Sequence, residues 1–147
     1  MTTVSPASPA GGPLDACRVM TLPKQSARQG NLTAIQGGID IPFQIERVYY
    51  LYDVPGGESR GGHAHLKLHQ LLVCVMGSID AVLDDGHRRR RVHLDRAYNG
   101  LLICPMVWRE LENFSSGAIC LVLASRVYEE LDYIRDYDQF VKVARHA

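Results

Sequence analysis

The sequence predicts an all-β sandwich or barrel. From Cys17 to about Leu123 it is a series of short apolar runs broken by Gly, Pro, Asn and Asp. Asp85-Gly86 stands between IDAVLD and RRRRVHL, the hairpin dipeptide that supplies positive φ between paired strands. A chain of 147 residues, 46% hydrophobic and 22% charged, has the length and composition of one soluble, core-forming domain.

The elements follow in order. Residues 1–14, MTTVSPASPAGGPL, are too poor in large apolar groups to offset the entropy of ordering them, so they read as a disordered leader before a single domain at 15–147. Strands are expected at 17–22, 31–36, 46–53, 68–76, 79–84, 89–94, 100–104, 107–112 and 118–124. Met76-Gly77-Ser78 marks a tight connection between LLVCV and IDAVL. After Ser125 the period changes: Tyr128, Leu131, Ile134, Tyr137 and Val141 recur at three- and four-residue spacings, which predicts short helical turns packed on the β core.

Composition excludes several classes of partner. The 16 Lys plus Arg balance the 16 Asp plus Glu, so no global positive field gathers nucleic acid or an anionic membrane. No apolar stretch approaches the ~20 residues of a spanning helix, and the N-terminus lacks signal-peptide character, so a cytoplasmic protein is expected. The run Arg88 to Arg91 follows a hairpin turn, where alternate side chains point to opposite faces and at least two are expected to be simply solvated. Cys17, Cys74, Cys104 and Cys120 show no C-x-x-C spacing and read as reduced core fillers without neighbours that activate a thiol.

The chemistry concentrates in Gly57 to Gly77. His63 and His65, at i and i+2 on a strand, project to one face and address one cavity, as a metal pair or a proton-transfer pair. Written out, the stretch is G-x5-H-x-H-x4-Q-x6-G, which resembles the first motif of the cupins, whose usual form has Glu where this chain has Gln70. The candidate second motif around Pro105 offers Arg109 or Glu110 where a further ligand His would fall, depending on how the proline is aligned. A neutral amide is a poor ligand and a guanidinium opposes a cation, so neither metal nor cofactor is expected. Without a metal, two clustered imidazoles suit a general base and its partner. Arg47 and Arg60 offer bidentate donors for pyrophosphate, and Tyr49, Tyr50, Tyr52 and Trp108 offer stacking faces for a base or sugar. Alternation puts Arg47 and Tyr49 on one face of their strand and Tyr50 and Tyr52 on the other, and either set can face the cavity.

Four longer markers sharpen the resemblance: R-V-Y-Y-L-Y-D, R-G-x-H-A-H, the L-D-D-G hairpin and D-Y-I-R-D-Y-D-x-F. Over about residues 17–140 the chain resembles the metal-independent sugar 3,4-ketoisomerases, cupins that act on dTDP-4-keto-6-deoxyglucose. The resemblance implies a small jelly-roll fold and conversion of the 4-keto sugar to a 3-keto-6-deoxyhexose through an enediol, in deoxyamino-sugar biosynthesis. It implies His65 as the base at carbon 3, His63 as its partner, and Arg47, Tyr49 and Arg60 as substrate-binding residues. It further implies a homodimer that exchanges N-terminal strands, a part that residues 17–36 would play. The family usually has His after the tryptophan of the second motif, where this chain has Arg109. The competing readings are a dTDP-sugar 3,5-epimerase, a non-catalytic nucleotide-sugar-binding cupin and a metal-dependent oxygenase.

Overall fold

The punctuated apolar runs resolve into strands in a computed structural model that describes residues 12–146. In chain order these are β1 (Arg18–Thr21), β2 (Gln25–Ala27), β3 (Gly30–Leu32), β4 (Arg47–Leu51), β5 (Arg60–His65), β6 (Gln70–Met76), β7 (Ile79–Asp84), β8 (Arg89–Leu94), β9 (Asn99–Ile103), β10 (Trp108–Glu112), β11 (Ile119–Ala124) and β12 (Tyr133–Ile134), followed by helix α1 (Tyr137–Arg145). Ten of them form two antiparallel sheets, in the orders β1-β9-β6-β11-β4 and β12-β5-β10-β7-β8. These face one another as a jelly-roll sandwich. The remaining two, β2 and β3, make a separate ribbon.

Side-chain alternation sets the layers. Leu72 and Cys74 of β6, Cys120 and Val122 of β11, and Leu101 and Ile103 of β9 meet Ile79, Ala81 and Leu83 of β7 and Leu111 of β10 between the sheets. The intervening Leu71, Val73, Leu102 and Leu123 point the other way and are covered by Leu22, Ile41 and Phe43. A first sheet buried on both faces accounts for the near-continuous apolar text of β6. On the outside of the second sheet, Ala64, Trp108 and Ile134 are covered by Phe140 of α1. Burial of the Phe140 ring contributes about 1.5–3 kcal/mol.

The C-terminal segment departs from the expectation. Helix begins only at Tyr137, where the Asp136 carboxylate caps it by accepting from the Gln139 N–H at 2.9 Å. The stretch from Tyr128 to Ile134 is instead a loop, a 3₁₀ turn at Glu130–Asp132 and β12. Pairing with β5, Tyr133 opposite His65 and Ile134 opposite Ala64, overrides the helical period, and Leu131 is left 85% exposed. The strand expected at 31–36 is shorter and belongs to the β2–β3 ribbon, while β1 pairs with β9 of its own chain. The expected leader lies outside the described residues up to residue 11; Pro13–Ala16 forms a 3₁₀ turn with Leu14 buried. The arginine run is bonded throughout: Arg88 pairs with Asp15, Arg89 with Asp84, Arg91 with Asp80 and Glu112, and Arg90 donates to the Cys17 carbonyl.

Candidate active site

A register shift makes the site. Arg109 of β10 stands opposite His63 and Leu111 stands opposite Arg60, so β5 carries one extra residue between the two pairs. Gly61, at φ 81°, takes the backbone conformation that this bulge requires. Three residues apart on a regular strand, Arg60 and His63 would face opposite ways. The bulge turns both toward the same interior as Arg109 and Leu111.

The result is a cavity of about 510 Å³ between the sheets. One wall carries Arg60, His63 and Arg109; the other carries Arg47 and Tyr49 of β4, Gln70 and Leu72 of β6, and Val122 of β11; Tyr133 and Arg135 close it. The alternation on β4 is thereby decided: Arg47 and Tyr49 face the cavity, and Tyr50 and Tyr52 are each 60% exposed on the opposite face. Trp108, expected as a stacking surface, corrects to a core residue. Its ring is buried against Tyr137 and Phe140 on the outer side of the second sheet, because strand alternation turns Trp108 away when Arg109 turns in.

The two histidines are neighbours at different depths. His63 is in the cavity wall, and His65 lies behind it with no exposed surface, the rings edge to face at 4.8 Å between centroids. Tyr133 packs on both, 5.0 Å from His63 and 4.3 Å from His65. The Nδ1 of His65 meets the Asp132 carboxylate at 3.0 Å, while the other carboxylate oxygen accepts the Lys67 backbone N–H at 2.8 Å. A carboxylate can only accept, so the His65 proton sits on Nδ1 and the lone pair on Nε2. That Nε2 is buried and has no partner among the described residues, and the same is true of Nε2 of His63. Burial, then the charge of Arg109, pushes His63 down to about 2 and His65 down to about 3. Both imidazoles are neutral near pH 7.

Among the described residues Arg109 is the largest fully buried side chain. Its guanidinium donates to Gln70 Oε1 at 2.6 Å and to the Val107 carbonyl at 2.8 Å, and Gln70 Nε2 donates to the Tyr49 hydroxyl at 3.0 Å. Burial lowers it to about 10, so it remains a cation at neutral pH. Between the two alternatives left by the sequence, Arg109 is the one in the cavity; Glu110 points outward and accepts from the Trp108 indole N–H. The Tyr49 hydroxyl is pushed up by burial and stays protonated. On the far wall the Arg47 guanidinium donates to the Tyr133 hydroxyl at 3.2 Å, and Arg135 lies 4.2 Å over the Tyr133 ring. Four guanidiniums thus address one cavity, a field suited to an anionic ligand.

Of the residues singled out in the sequence, Arg47, Tyr49, Arg60 and His63 line this cavity, and His65 stands against His63 behind its wall. Asp132, Tyr133 and Arg135 were missed, because they stand in text that reads as helix. The available signal was the marker D-Y-I-R-D-Y, whose first residue is Asp132, but nothing in the sequence ties it to a histidine 67 positions earlier.

The family described as FdtA, WxcM-like, C-terminal matches residues 15–145. The TDP-4-oxo-6-deoxy-alpha-D-glucose-3,4-oxoisomerase of Aneurinibacillus thermoaerophilus is 47% identical over 125 residues, 85% of this chain and 90% of the relative. Among solved structures the fold is similar to QdtA, a sugar 3,4-ketoisomerase from Thermoanaerobacterium thermosaccharolyticum in complex with TDP. The TM-score is 0.87 and the identity 42%, covering 88% of this chain and 95% of that one. A histidine-to-asparagine variant of QdtA in complex with TDP-4-keto-6-deoxyglucose superposes with a TM-score of 0.87 at 41% identity, covering 88% of this chain and 94% of that one.

Proposed function

Because this chain belongs to the FdtA, WxcM-like C-terminal family, we propose that it is a sugar 3,4-ketoisomerase that converts dTDP-4-keto-6-deoxyglucose to a dTDP-3-keto-6-deoxyhexose. The observation that carries the mechanism is the His65–Asp132 contact, which leaves an unpartnered Nε2 lone pair in a buried position beside the cavity.

The carbonyl at carbon 4 acidifies carbon 3, and neutral His65 takes that proton through Nε2. Asp132 holds the ring's orientation and stabilises the imidazolium as it forms. Charge builds on the oxygens of the enediol, where the Arg109 cation and the protonated Tyr49 hydroxyl stabilise it in low dielectric. Return of a proton at carbon 4 completes the isomerisation. His63 binds the sugar oxygens beside the base. Arg47 and Arg60 take the diphosphate, and Trp108 supports the wall from behind instead of stacking on the ligand.

The reaction needs no metal. Gln70 Oε1, the atom that would turn toward an ion, is held by Arg109 at 2.6 Å, and the guanidinium repels a divalent cation from the histidines. The wholly exposed ribbon β2–β3, with Leu32 58% exposed, supports a homodimer in which it reaches the second copy. Four free cysteines support the cytoplasm as the working compartment, and among the described residues no helix is long and apolar enough to cross a membrane.

The test is proton NMR of dTDP-4-keto-6-deoxyglucose with metal-stripped protein in deuterium oxide. A 3-keto isomer carrying deuterium at carbon 4 is the expected product. Solvent exchange with the 4-keto group retained would assign a 3,5-epimerase instead, and bound but unchanged ligand would assign a binding protein.

A further inference from the structure

The sandwich brings its four cysteines together as two pairs, and the pairs differ. Cys74 and Cys120 face one another across β6 and β11, both fully buried. The Cys74 thiol donates to the Met76 carbonyl at 3.2 Å, and burial pushes both thiols up, Cys120 to about 12. Neither offers a thiolate.

Cys17 and Cys104 sit at the ends of β1 and β9. The Cys104 backbone N–H donates to Cys17 Sγ at 3.5 Å, and Cys104 Sγ donates to the Ala16 carbonyl at 3.6 Å, so both sulfurs share one pocket. The β1–β9 register pairs Arg18 with Leu102, which puts Cys17 and Cys104 one step off direct opposition. Residues one step off opposition in a regular ladder face opposite ways, so it is the contact at Cys17 Sγ, made beyond the strand ends, that brings the pair together. Cys104 is the more accessible of the two.

We propose that Cys17 and Cys104 form a reversible intrachain disulfide when the protein meets a peroxide, and that this bond reports to the active site. Hydrogen bonding to Cys104, with help from the charges of Arg109 and Arg90, lowers Cys17 below the ordinary thiol range against the opposing effect of burial, which favours its thiolate. The thiolate attacks the peroxide: an S–O bond forms, the O–O bond breaks, and a sulfenic acid and hydroxide result. The second sulfur then attacks the sulfenyl sulfur, the S–S bond forms, the S–O bond breaks, and water leaves. In sum the thiolate, the thiol and one peroxide give the disulfide, one water and one hydroxide, and the proton lost when Cys17 ionised converts that hydroxide to a second water.

The route to the site is the short connection from Cys104 to Val107. Its Met106 N–H donates to the His65 carbonyl at 2.7 Å, and its Val107 carbonyl accepts from Arg109 at 2.8 Å. Drawing Cys104 toward Cys17 moves both anchors, and the neutral disulfide replaces an anion close to Arg109. The effect on turnover rests on the ketoisomerase reading; formation of the disulfide does not.

The experiment treats fully reduced, full-length protein with hydrogen peroxide and maps it by mass spectrometry without reduction. The expected result is one Cys17–Cys104 linkage with Cys74 and Cys120 still alkylatable, in protein that migrates as a monomer under denaturing conditions. A Cys74–Cys120 bond, an interchain bond, or terminal oxidation of a single cysteine overturns the proposal. On protein shown to carry the bond, turnover is expected to fall by about three- to thirtyfold and to return with a dithiol reductant. Cys104→Ser, which retains a small polar side chain at the more accessible position, is expected to keep its turnover through the same treatment. Unchanged turnover in disulfide-bonded wild type would sever the link to the site.

Discussion

Replacing Asp132 by Asn changes one charge and almost no volume. The new amide keeps an acceptor for the Lys67 N–H but can turn its own N–H toward His65 Nδ1, where the carboxylate stood at 3.0 Å. The imidazole then carries its proton on Nε2, the atom that has to be empty to act as the base. The lost charge has a calculable worth. A carboxylate and an imidazolium with charge centres ~4 Å apart attract by about 4 kcal/mol at an effective dielectric constant of about 20. That energy exists only once the proton has been taken, so it falls on kcat and corresponds to about 10³-fold. TDP affinity is expected to stay at the wild-type value, because Asp132 lies behind His65 and away from the ligand. Turnover followed by NMR and TDP binding followed by calorimetry separate the two. If Asp132→Asn retained turnover within about threefold of wild type, the carboxylate would have no part in activating the base.

Three further outcomes are expected. His63 and His65 are held neutral in the fold but take up protons below their ordinary pKa near 6.5 once unfolded. Stability therefore falls as pH drops from about 6.5 toward 4.5, by up to about 1.4 kcal/mol per pH unit for each histidine. Urea unfolding across that window checks it, with a shallower slope in His63→Asn; a flat profile would contradict neutral burial. Gln70→Glu is expected to ion-pair with Arg109 and recruit no metal, whereas Gln70→Glu combined with Arg109→His supplies three imidazoles and a carboxylate. Metal analysis after dialysis against zinc should find about one ion per chain in the double variant only. Trp108→Ala should cost about 3–5 kcal/mol in chemical unfolding while leaving the substrate KM unchanged; a raised KM in folded protein would return the ring to the ligand.

The parts of the molecule legible in its sequence are those whose determinants are local. Ile79–Asp84 and Arg89–Leu94 were expected at the bounds observed, because the Asp85-Gly86 turn fixes their register from within. The pair His63 and His65 was legible because the period of a strand alone puts them on one face. The position of Arg60 was not, since it depends on a bulge that only pairing with β10 reveals. Trp108 failed because aromatic character does not say which side of a strand faces the ligand. Asp132 and Tyr133 failed because a two-residue strand at a sheet edge owes its existence to its partner and leaves no periodic trace. Cys17 illustrates the same limit: the apolar text around Cys104 offers it no activating neighbour, and the fold supplies one.

The docking of β12 on β5 has a consequence for the order in which the enzyme is made. Translation delivers Arg47, Tyr49, His63, His65, Gln70 and Arg109 first, and they can be arranged by the sandwich alone, but the carboxylate that readies His65 and the ring that seals it emerge only afterwards. Domains fold as their chains emerge, N-terminal parts first. A nascent chain that has already closed its sandwich therefore holds the two imidazoles without the Asp132 carboxylate. On the proposed mechanism, proton abstraction waits for the segment carrying Asp132 to add its strand to the sheet, so activity would report that this late-emerging segment has docked.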